Sequence, residues 1–331
     1  MNGDTMKQKN FHIPIFVPHK GCPHDCVFCN QRKITGQLAE MTPDEAKGTI
    51  DSHLESIEKY NKAGSYHAEI AFFGGSFTAI DLGKQTELLA LANSYLESGR
   101  IHGIRCSTRP DAIDREILDN CKKYGLTSIE LGVQSADDHV LNLSDRGHSF
   151  DDVVRAANLI KSYGFELGLQ MMTGLPGDTY HKSVETARKI ASLKPDNVRI
   201  YPTLVMEDTR LMEMYKNGEY MPQSLDEAVT RAADIAEIFI SEDIEILRIS
   251  LQTTDGVNAS TVIGPYHPAF AELVYSEIEK RKIEKHITEN GISDCTLEVK
   301  TSYVSQVIGH KKSNKEYFKS KYNVDFKIIP V

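Results

Sequence analysis

Seven short apolar runs, each separated from the next by a longer stretch, restrict this chain to a narrow set of architectures. The runs "FHIPIFVPH" (11–19), "HAEIAFFGG" (67–75), "GIRCSTRP" (103–110), "SIELGVQS" (128–135), "FELGLQMMTG" (165–174), "NVRIYPTLV" (197–205) and "EILRISLQ" (245–252) read as strands. The stretches between them are helical in pattern. The first is announced by Thr42, Pro43 and Glu45, which read as N-cap, first helical residue and capping-box partner. Further helices are expected near 83–98, 114–124, 150–163, 179–192 and 224–240. Strands that alternate with helices imply a parallel sheet with helical crossovers, and two folds satisfy that rule: a full or incomplete barrel and a doubly wound open sheet.

The placement of chemically unusual residues favours the barrel. A cysteine-rich loop, "GGS", "STRP", "GVQS", "MTGLPGDT" and "YPT" each follow or finish an expected strand. In a barrel those strand ends share one face, where active sites are built. The expected fold is therefore α/β: an incomplete (β/α)6 TIM-like barrel with one further strand over residues 1–263, and a small α/β C-terminal extension over 264–331. In that extension a charged helix is expected to about residue 289, then "TLEVK" as strand, "SYVSQVIG" and "KEYFKSKY" as helices, and "VDFKIIP" as strand.

Composition limits the function. A net charge of −9 over 331 residues, with 40% hydrophobic residues, is that of an ordinary globular protein and argues against a surface that grips nucleic acid everywhere. No run approaches the roughly 18 apolar residues of a membrane span, and the opening "MNGDTMKQKN" lacks the apolar segment of a signal peptide, so a cytoplasmic protein with no membrane partner is expected. Six cysteines, three of them in one loop, do not form the framework of a small secreted domain.

That loop, "GCPHDCVFCN" (21–30), holds Cys22, Cys26 and Cys29. Thiolates so spaced can bind zinc, bind an iron-sulfur cluster or do thiol redox chemistry. Structural zinc wants four ligands, and a fourth here would have to be His19 or His24. Cys26 and Cys29 have the spacing of a redox dithiol, which leaves Cys22 without a task. Three thiolates on a 4Fe-4S cluster would leave one iron open to another ligand.

Cys22-x3-Cys26-x2-Cys29, with Phe28 before the last cysteine and the loop after the first strand, resembles the radical S-adenosylmethionine (SAM) superfamily. The resemblance extends through about 250 residues and is nearest the branch of the Elongator catalytic subunit and the oxygen-independent coproporphyrinogen oxidases. It implies one 4Fe-4S cluster on the three cysteines, whose open iron chelates SAM. It also implies reductive cleavage of SAM to methionine and a 5'-deoxyadenosyl radical that abstracts hydrogen from a substrate.

Site roles follow from the same resemblance. "FFGGS" (72–76) matches the segment whose backbone takes the methionine amino group of SAM, here Gly74, Gly75 and Ser76. "STRPD" (107–111) matches a segment whose first residue helps hold the ribose, here Ser107 in place of an acid. "IELGVQS" (129–135) offers Gln134 to the ribose, and Glu130 lies near the expected barrel interior. Arg146 aligns with the arginine that meets the SAM carboxylate, and Gln170 stands where relatives carry a histidine or aspartate. "GLPG" (174–177) reads as a loop under the adenine, Arg199 and Tyr201 as residues pointing into the barrel, and Phe28 as a shield for the cluster.

The end of the chain adds a second signal. "VIGHKKSNKEYFKSKYNVDFKII" (307–329) resembles the core of a KH domain, with a degenerate G-x-x-G in which Lys312 replaces the second glycine; the KH-like segment covers about 296–331. From Lys300 to Lys327 seven lysines face Glu316 and Asp325, a basic appendage on an acidic chain. The Elongator resemblance implies tRNA or other RNA as partner, yet the chain is expected to lack the long acetyltransferase domain of that family, which favours a different RNA modification. A porphyrinogen or other small molecule is the alternative substrate, and a noncatalytic iron-sulfur RNA-binding protein the alternative class. An electron donor such as a flavodoxin or ferredoxin is implied in the enzymatic readings.

Overall fold

The computed structural model describes residues 9–17, 25–30, 41–62, 64–254, 257–290 and 296–331. Seven parallel strands form one curled sheet: β1 (Lys9–Val17), β2 (Tyr66–Gly74), β3 (Gly103–Thr108), β4 (Ser128–Gln134), β5 (Glu166–Thr173), β6 (Asn197–Pro202) and β8 (Glu245–Ile249). Their order in space follows their order in sequence with no reversal. A doubly wound sheet would need a switch point where the order turns back, so this is the incomplete barrel. β1 and β8 are its two edges and leave one side open. The expected "NVRIYPTLV" strand leaves the sheet after Pro202: its last residue, Val205, joins Met206 in β7 (Val205–Met206), which pairs antiparallel with β9 (Val262–Ile263) in a small separate ribbon.

The alternation along each strand sorts residues by polarity. Ile13 and Ile15, Ile70 and Phe72, Ile129 and Leu131, Leu167 and Leu169, Val198 and Ile200 all turn outward, where the helices cover them. The helices Pro43–Tyr60, Leu82–Glu97, Phe150–Ser162, Tyr180–Ser192 and Leu225–Ser241 contribute Leu54, Leu89, Ile160, Ile190 and Phe239 to the same core. The residues of opposite parity, including Glu69, Arg105, Glu130 and Arg199, occupy the inner face and are largely polar. The fold thus reserves its concave side for chemistry.

The helices start where local chemistry allows. Thr42 Oγ1 accepts from the Glu45 amide (3.2 Å) while Glu45 Oε2 accepts from the Thr42 amide (2.8 Å), the reciprocal pair that satisfies two otherwise unpaired donors. Ser149 with Asp152, and Ser224 with Glu227, repeat the device.

Beyond the barrel, the helix Phe270–Asn290 joins two packing regions. Phe270, Val274 and Ile278 belong to the barrel's core, whereas Ile283 and Ile287 pack with Val307, Phe318, Val324 and Phe326. The expected "SYVSQVIG" helix is a 3-10 turn, Thr301–Tyr303, followed by a short helix, Val304–Ile308. A helix at Ser313–Tyr322 follows, and β10 (Thr296–Val299) pairs parallel with β11 (Lys327–Pro330). β11 is shorter than the expected strand because Val324 and Phe326 are buried in the small core before the pairing begins.

Candidate active site

A cavity of about 600 Å3 opens on the concave side, from the inner face of edge strand β1 to β8 and the residues that follow it. Its wall includes Cys26, Phe28, Cys29, Gly74, Gly75, Ser76, Ser107, Gln134, Arg146 and Gln170, which thus meet one space. Cys22 lies outside the described residues.

The interior is organised by ion pairs. Arg105 Nε donates to Glu69 Oε2 (2.6 Å), and His12 Nε2 stands 3.2 Å from the same oxygen. Burial alone would raise the Glu69 pKa, but the hydrogen bond with His12 and the charge of Arg105 hold it down to about 2. Higher in the cavity Glu130 accepts from Ser107 Oγ (3.0 Å) and from Arg199 Nε (2.5 Å). Arg199 lies over the Phe73 ring at 5.6 Å and donates to the Tyr201 hydroxyl (3.4 Å). Burial opposes the charge on Arg199, yet Glu130 and Tyr201 keep its pKa above the ordinary value. At the strand ends Gln134 and Gln170 exchange amide hydrogen bonds of 2.9 and 2.7 Å. Gln134 has a left-handed backbone, φ 67°, at the point where the β4–β5 register shifts.

The turn bearing the thiols is clamped by its neighbour Val27. The Val27 amide donates to the Ser144 carbonyl (3.1 Å), its carbonyl accepts from the Leu211 amide (2.8 Å), and its side chain is buried with Val205, Leu211, Met212 and Tyr220. Cys29 N donates to Cys26 O (2.9 Å), which closes the turn, and Phe28 packs beside the same apolar cluster.

Arg146 ties that turn to the barrel. Its Nη1 donates to Cys26 Sγ (3.3 Å) and its Nη2 to the Gly132 carbonyl (2.7 Å), while its Nε is buried with no partner. Arg109, almost wholly buried, donates to the Arg146 carbonyl (2.5 Å) and fixes the backbone there. A Cβ on Gly132 would stand 2.7 Å from Arg146 Nη2 and 2.8 Å from Gln134 Nε2, so any side chain there would displace the guanidinium and the amide from these positions. Gly74 also needs its freedom, with φ at 104° where β2 ends in the cavity wall. Behind this pair His148 is driven down to about 4 by burial first and then by the charges of Arg146 and Arg109.

The run Gly174–Gly177, expected under the adenine, is not among the residues that line the cavity; Gly174, Leu175 and Pro176 are buried, and Gly174 is pinned by Asp178 and Tyr220. Gly174 N donates to Asp178 Oδ2 (2.7 Å), the Tyr220 hydroxyl donates to Gly174 O (2.6 Å), and Arg231 of the helix Leu225–Ser241 donates to the Asp178 carboxylate (3.1 Å). The run serves as a brace at the end of β5. Arg199 and Tyr201 do face the cavity, as expected. His12, Met172 and Arg248 also line it and went unnoticed in the sequence. Their signal was parity: Met172 is two residues from Gln170, and Arg248 is the register partner of Arg199. Cys106 and Cys121 are buried thiols in the core; burial raises both, Cys121 to about 12.

Comparison with known proteins decides the family. The radical SAM superfamily profile matches residues 16–190, and the radical SAM C-terminal domain profile matches 195–280. The chain belongs to the radical SAM superfamily. An uncharacterized protein of Methanocaldococcus jannaschii is 30% identical over 268 residues, 78% of this chain and 80% of the relative. The tRNA uridine(34) acetyltransferase of the same organism is 28% identical over 312 residues, 82% of this chain but only 56% of the relative, so the chain spans little more than half of that protein. The structure of Methanocaldococcus infernus Elp3 with an N-terminal deletion aligns with TM-score 0.64 at 23% identity, over 86% of this chain and 68% of that one. The protein is a radical SAM enzyme with the fold of that family.

Radical SAM membership implies an iron-sulfur cluster and SAM. The residues present fit both. Cys26 and Cys29 supply soft thiolate donors, the unpartnered Nε of Arg146 offers a buried donor beside them, and Gly74 and Gly132 keep side chains out of the space. Among the described residues no helix is long and apolar enough to cross a membrane.

Proposed function

We propose that this radical SAM enzyme holds one 4Fe-4S cluster through Cys22, Cys26 and Cys29 and binds SAM against Gly74, Gly75, Ser76 and Arg146, to modify an RNA, with tRNA the first candidate. One observation carries the reading: Arg146 spans from the Cys26 thiol to Gly132 on the wall of the 600 Å3 cavity with a third donor left unpaired. When bound, the cluster and SAM would together supply a 5'-deoxyadenosyl radical on receipt of an electron from a donor such as a flavodoxin or ferredoxin.

The chain's own residues do the rest. Arg146 presents a planar, permanently charged donor suited to a carboxylate. The backbone at Gly74–Ser76 is open to an amino group. Gln134 and Gln170, already paired to each other, form an amide platform where a ribose would lie, with Ser107 held beside them by Glu130. Phe28 shields the thiols from water. The Glu130–Arg199 pair below this platform leaves a polar, charge-balanced chamber for the substrate. The tRNA reading rests on the name of the tRNA uridine(34) acetyltransferase relative, and the acetyl-transfer step of that longer protein is not carried over.

Two measurements test the proposal. Anaerobic reduction of reconstituted protein with SAM should yield 5'-deoxyadenosine, and Cys29→Ala should abolish it; full activity in that variant would sink the cluster assignment. Mass spectrometry of tRNA and rRNA nucleosides from cells lacking the protein should show one modification missing, and an unchanged nucleoside set would move the substrate out of the RNA class.

A further inference from the structure

The KH-like loop of the extension is physically joined to the mouth of the cavity. His310, at its start, meets His267 edge to face with ring centroids 5.1 Å apart. Beside His267, the Tyr266 hydroxyl is 2.9 Å from Thr253 Oγ1, and the Tyr266 ring packs with Leu204, Met206 and Val257, three residues of the cavity wall. Thr253 itself lies between Gln252 and Thr254, both on that wall. A continuous surface therefore runs from the exposed Lys311 and Lys312, over two imidazoles and a phenol, to the open side of the barrel.

Charge follows the same line. Lys311 and Lys312 are exposed, and the local positive field is felt at His267, whose pKa is lowered by burial and then by His310 and Lys311. At the inner end stands Arg248, an exposed residue of the cavity wall on β8 that is the register partner of Arg199. Arg199 is balanced by Glu130, and among the described residues no ion pair takes up the adjacent Arg248, which adds positive charge where the surface enters the cavity. Two cationic ends joined by aromatic faces match a single-stranded polynucleotide, whose phosphates are anionic and whose bases stack. A protein partner would gain nothing specific from alternating ring faces and cations on a path into an active-site cavity.

We infer that the surface from Lys311 and Lys312 across His310, His267 and Tyr266 to Arg248 is a polynucleotide track that delivers one nucleotide of an RNA substrate into the cavity. The inference rests on the RNA reading above for the identity of the polymer and adds the surface that holds it.

The test uses the full chain and a fluorescein-labelled unmodified tRNA transcript, with binding followed by fluorescence polarisation over a KCl series. Lys311 and Lys312 both have positive φ, 52° and 68°, so Lys311→Gly/Lys312→Gly removes charge without adding backbone strain. Its affinity should fall about 10-fold near physiological salt and its log–log salt slope by about 1.4, as expected for two lost phosphate contacts on a single strand. Lys312→Asn, which also tolerates that backbone region, should show about half the change in slope. Lys59→Ala/Lys62→Ala, on exposed lysines at the end of the helix Pro43–Tyr60, should bind as the parent does. Unchanged affinity and slope in the loop variants would overturn the track and favour another partner, and an equal loss in the Lys59/Lys62 control would reduce the binding to unspecific attraction. Binding is read without reductant and SAM cleavage without RNA, so failure of the track is distinguishable from failure of the enzyme assignment.

Discussion

Arg146 donates to the thiol of Cys26 at 3.3 Å across 120 residues of sequence. The bond joins the turn after β1 to the loop after the short helix Asp138–Leu143 and makes the cysteine turn part of the barrel. A lysine there could reach one acceptor, not the thiol and the Gly132 carbonyl together. Arg146→Lys should therefore lower 5'-deoxyadenosine formation by about 10-fold or more while the fold persists, since residues that orient a metal site's ligands commonly carry effects of that size. Parallel measurements of cluster absorbance and SAM turnover would show whether the loss lies in loading or in cleavage; parent-like turnover would contradict the role.

Gly132→Ala tests the same contact from the other side. The added Cβ would sit 2.7 Å from Arg146 Nη2 and 2.8 Å from Gln134 Nε2, so the guanidinium and the amide would have to move from these positions. The expected result is near-native thermal unfolding with SAM affinity, measured by equilibrium dialysis, reduced about 10-fold. Retained affinity would mean that Arg146 need not stand where the structure puts it.

Glu69 and Arg105 form an ion pair on the inner face of the sheet with side chains only 9% exposed each. Glu69→Gln removes the nearer of the two carboxylates at the buried Arg105 guanidinium and leaves only Glu166, 3.6 Å away, which costs about 3 kcal/mol. Urea unfolding followed by circular dichroism should show the midpoint shifted with an unchanged slope. A shift of a few tenths of a kcal/mol would place the ion pair on the surface in energetic terms.

The acid limb of stability should have two parts. His148 is lowered from 6.5 to about 4, so the unfolded chain binds a proton that the native state refuses as pH falls through that range. Stability contributed by the neutral ring is complete above pH 6.5 and declines toward pH 4, by about 3 kcal/mol in total. Glu69 is lowered from 4.5 to about 2, and its contribution is complete above pH 4.5 and lost toward pH 2. Unfolding free energy measured against pH should fall first in the upper window, and His148→Gln should flatten that window alone. Unaltered slopes in the variant would assign the upper limb to other groups.

Much of the fold was legible because it is local. Strand runs, the Thr42–Glu45 capping box and helix limits within about two residues follow from periodicity and end chemistry that neighbours in sequence settle among themselves. The thiol triplet and the strand-end segments likewise marked the candidate site in advance: Cys26, Cys29, Gly74–Ser76, Ser107, Gln134 and Tyr201 meet the cavity, whereas the Gly174–Gly177 brace does not.

Tertiary structure decided the rest, for a physical reason in each case. Periodicity shows that strand residues alternate but not which set faces in; here closure of seven parallel strands under a helical shell drives Ile70, Leu131 and Leu169 outward and leaves Glu69, Glu130 and Arg199 to balance charge inside. The partners of Arg146 lie 14 and 120 residues away, and the ring contact that links His310 to His267 needs the packing of the helix Phe270–Asn290 between barrel and extension. Such contacts depend on sheet register and on the summed burial of the whole chain, quantities that no short window of sequence contains. Local chemistry determined which elements form and which thiols are available; global packing determined what those thiols meet.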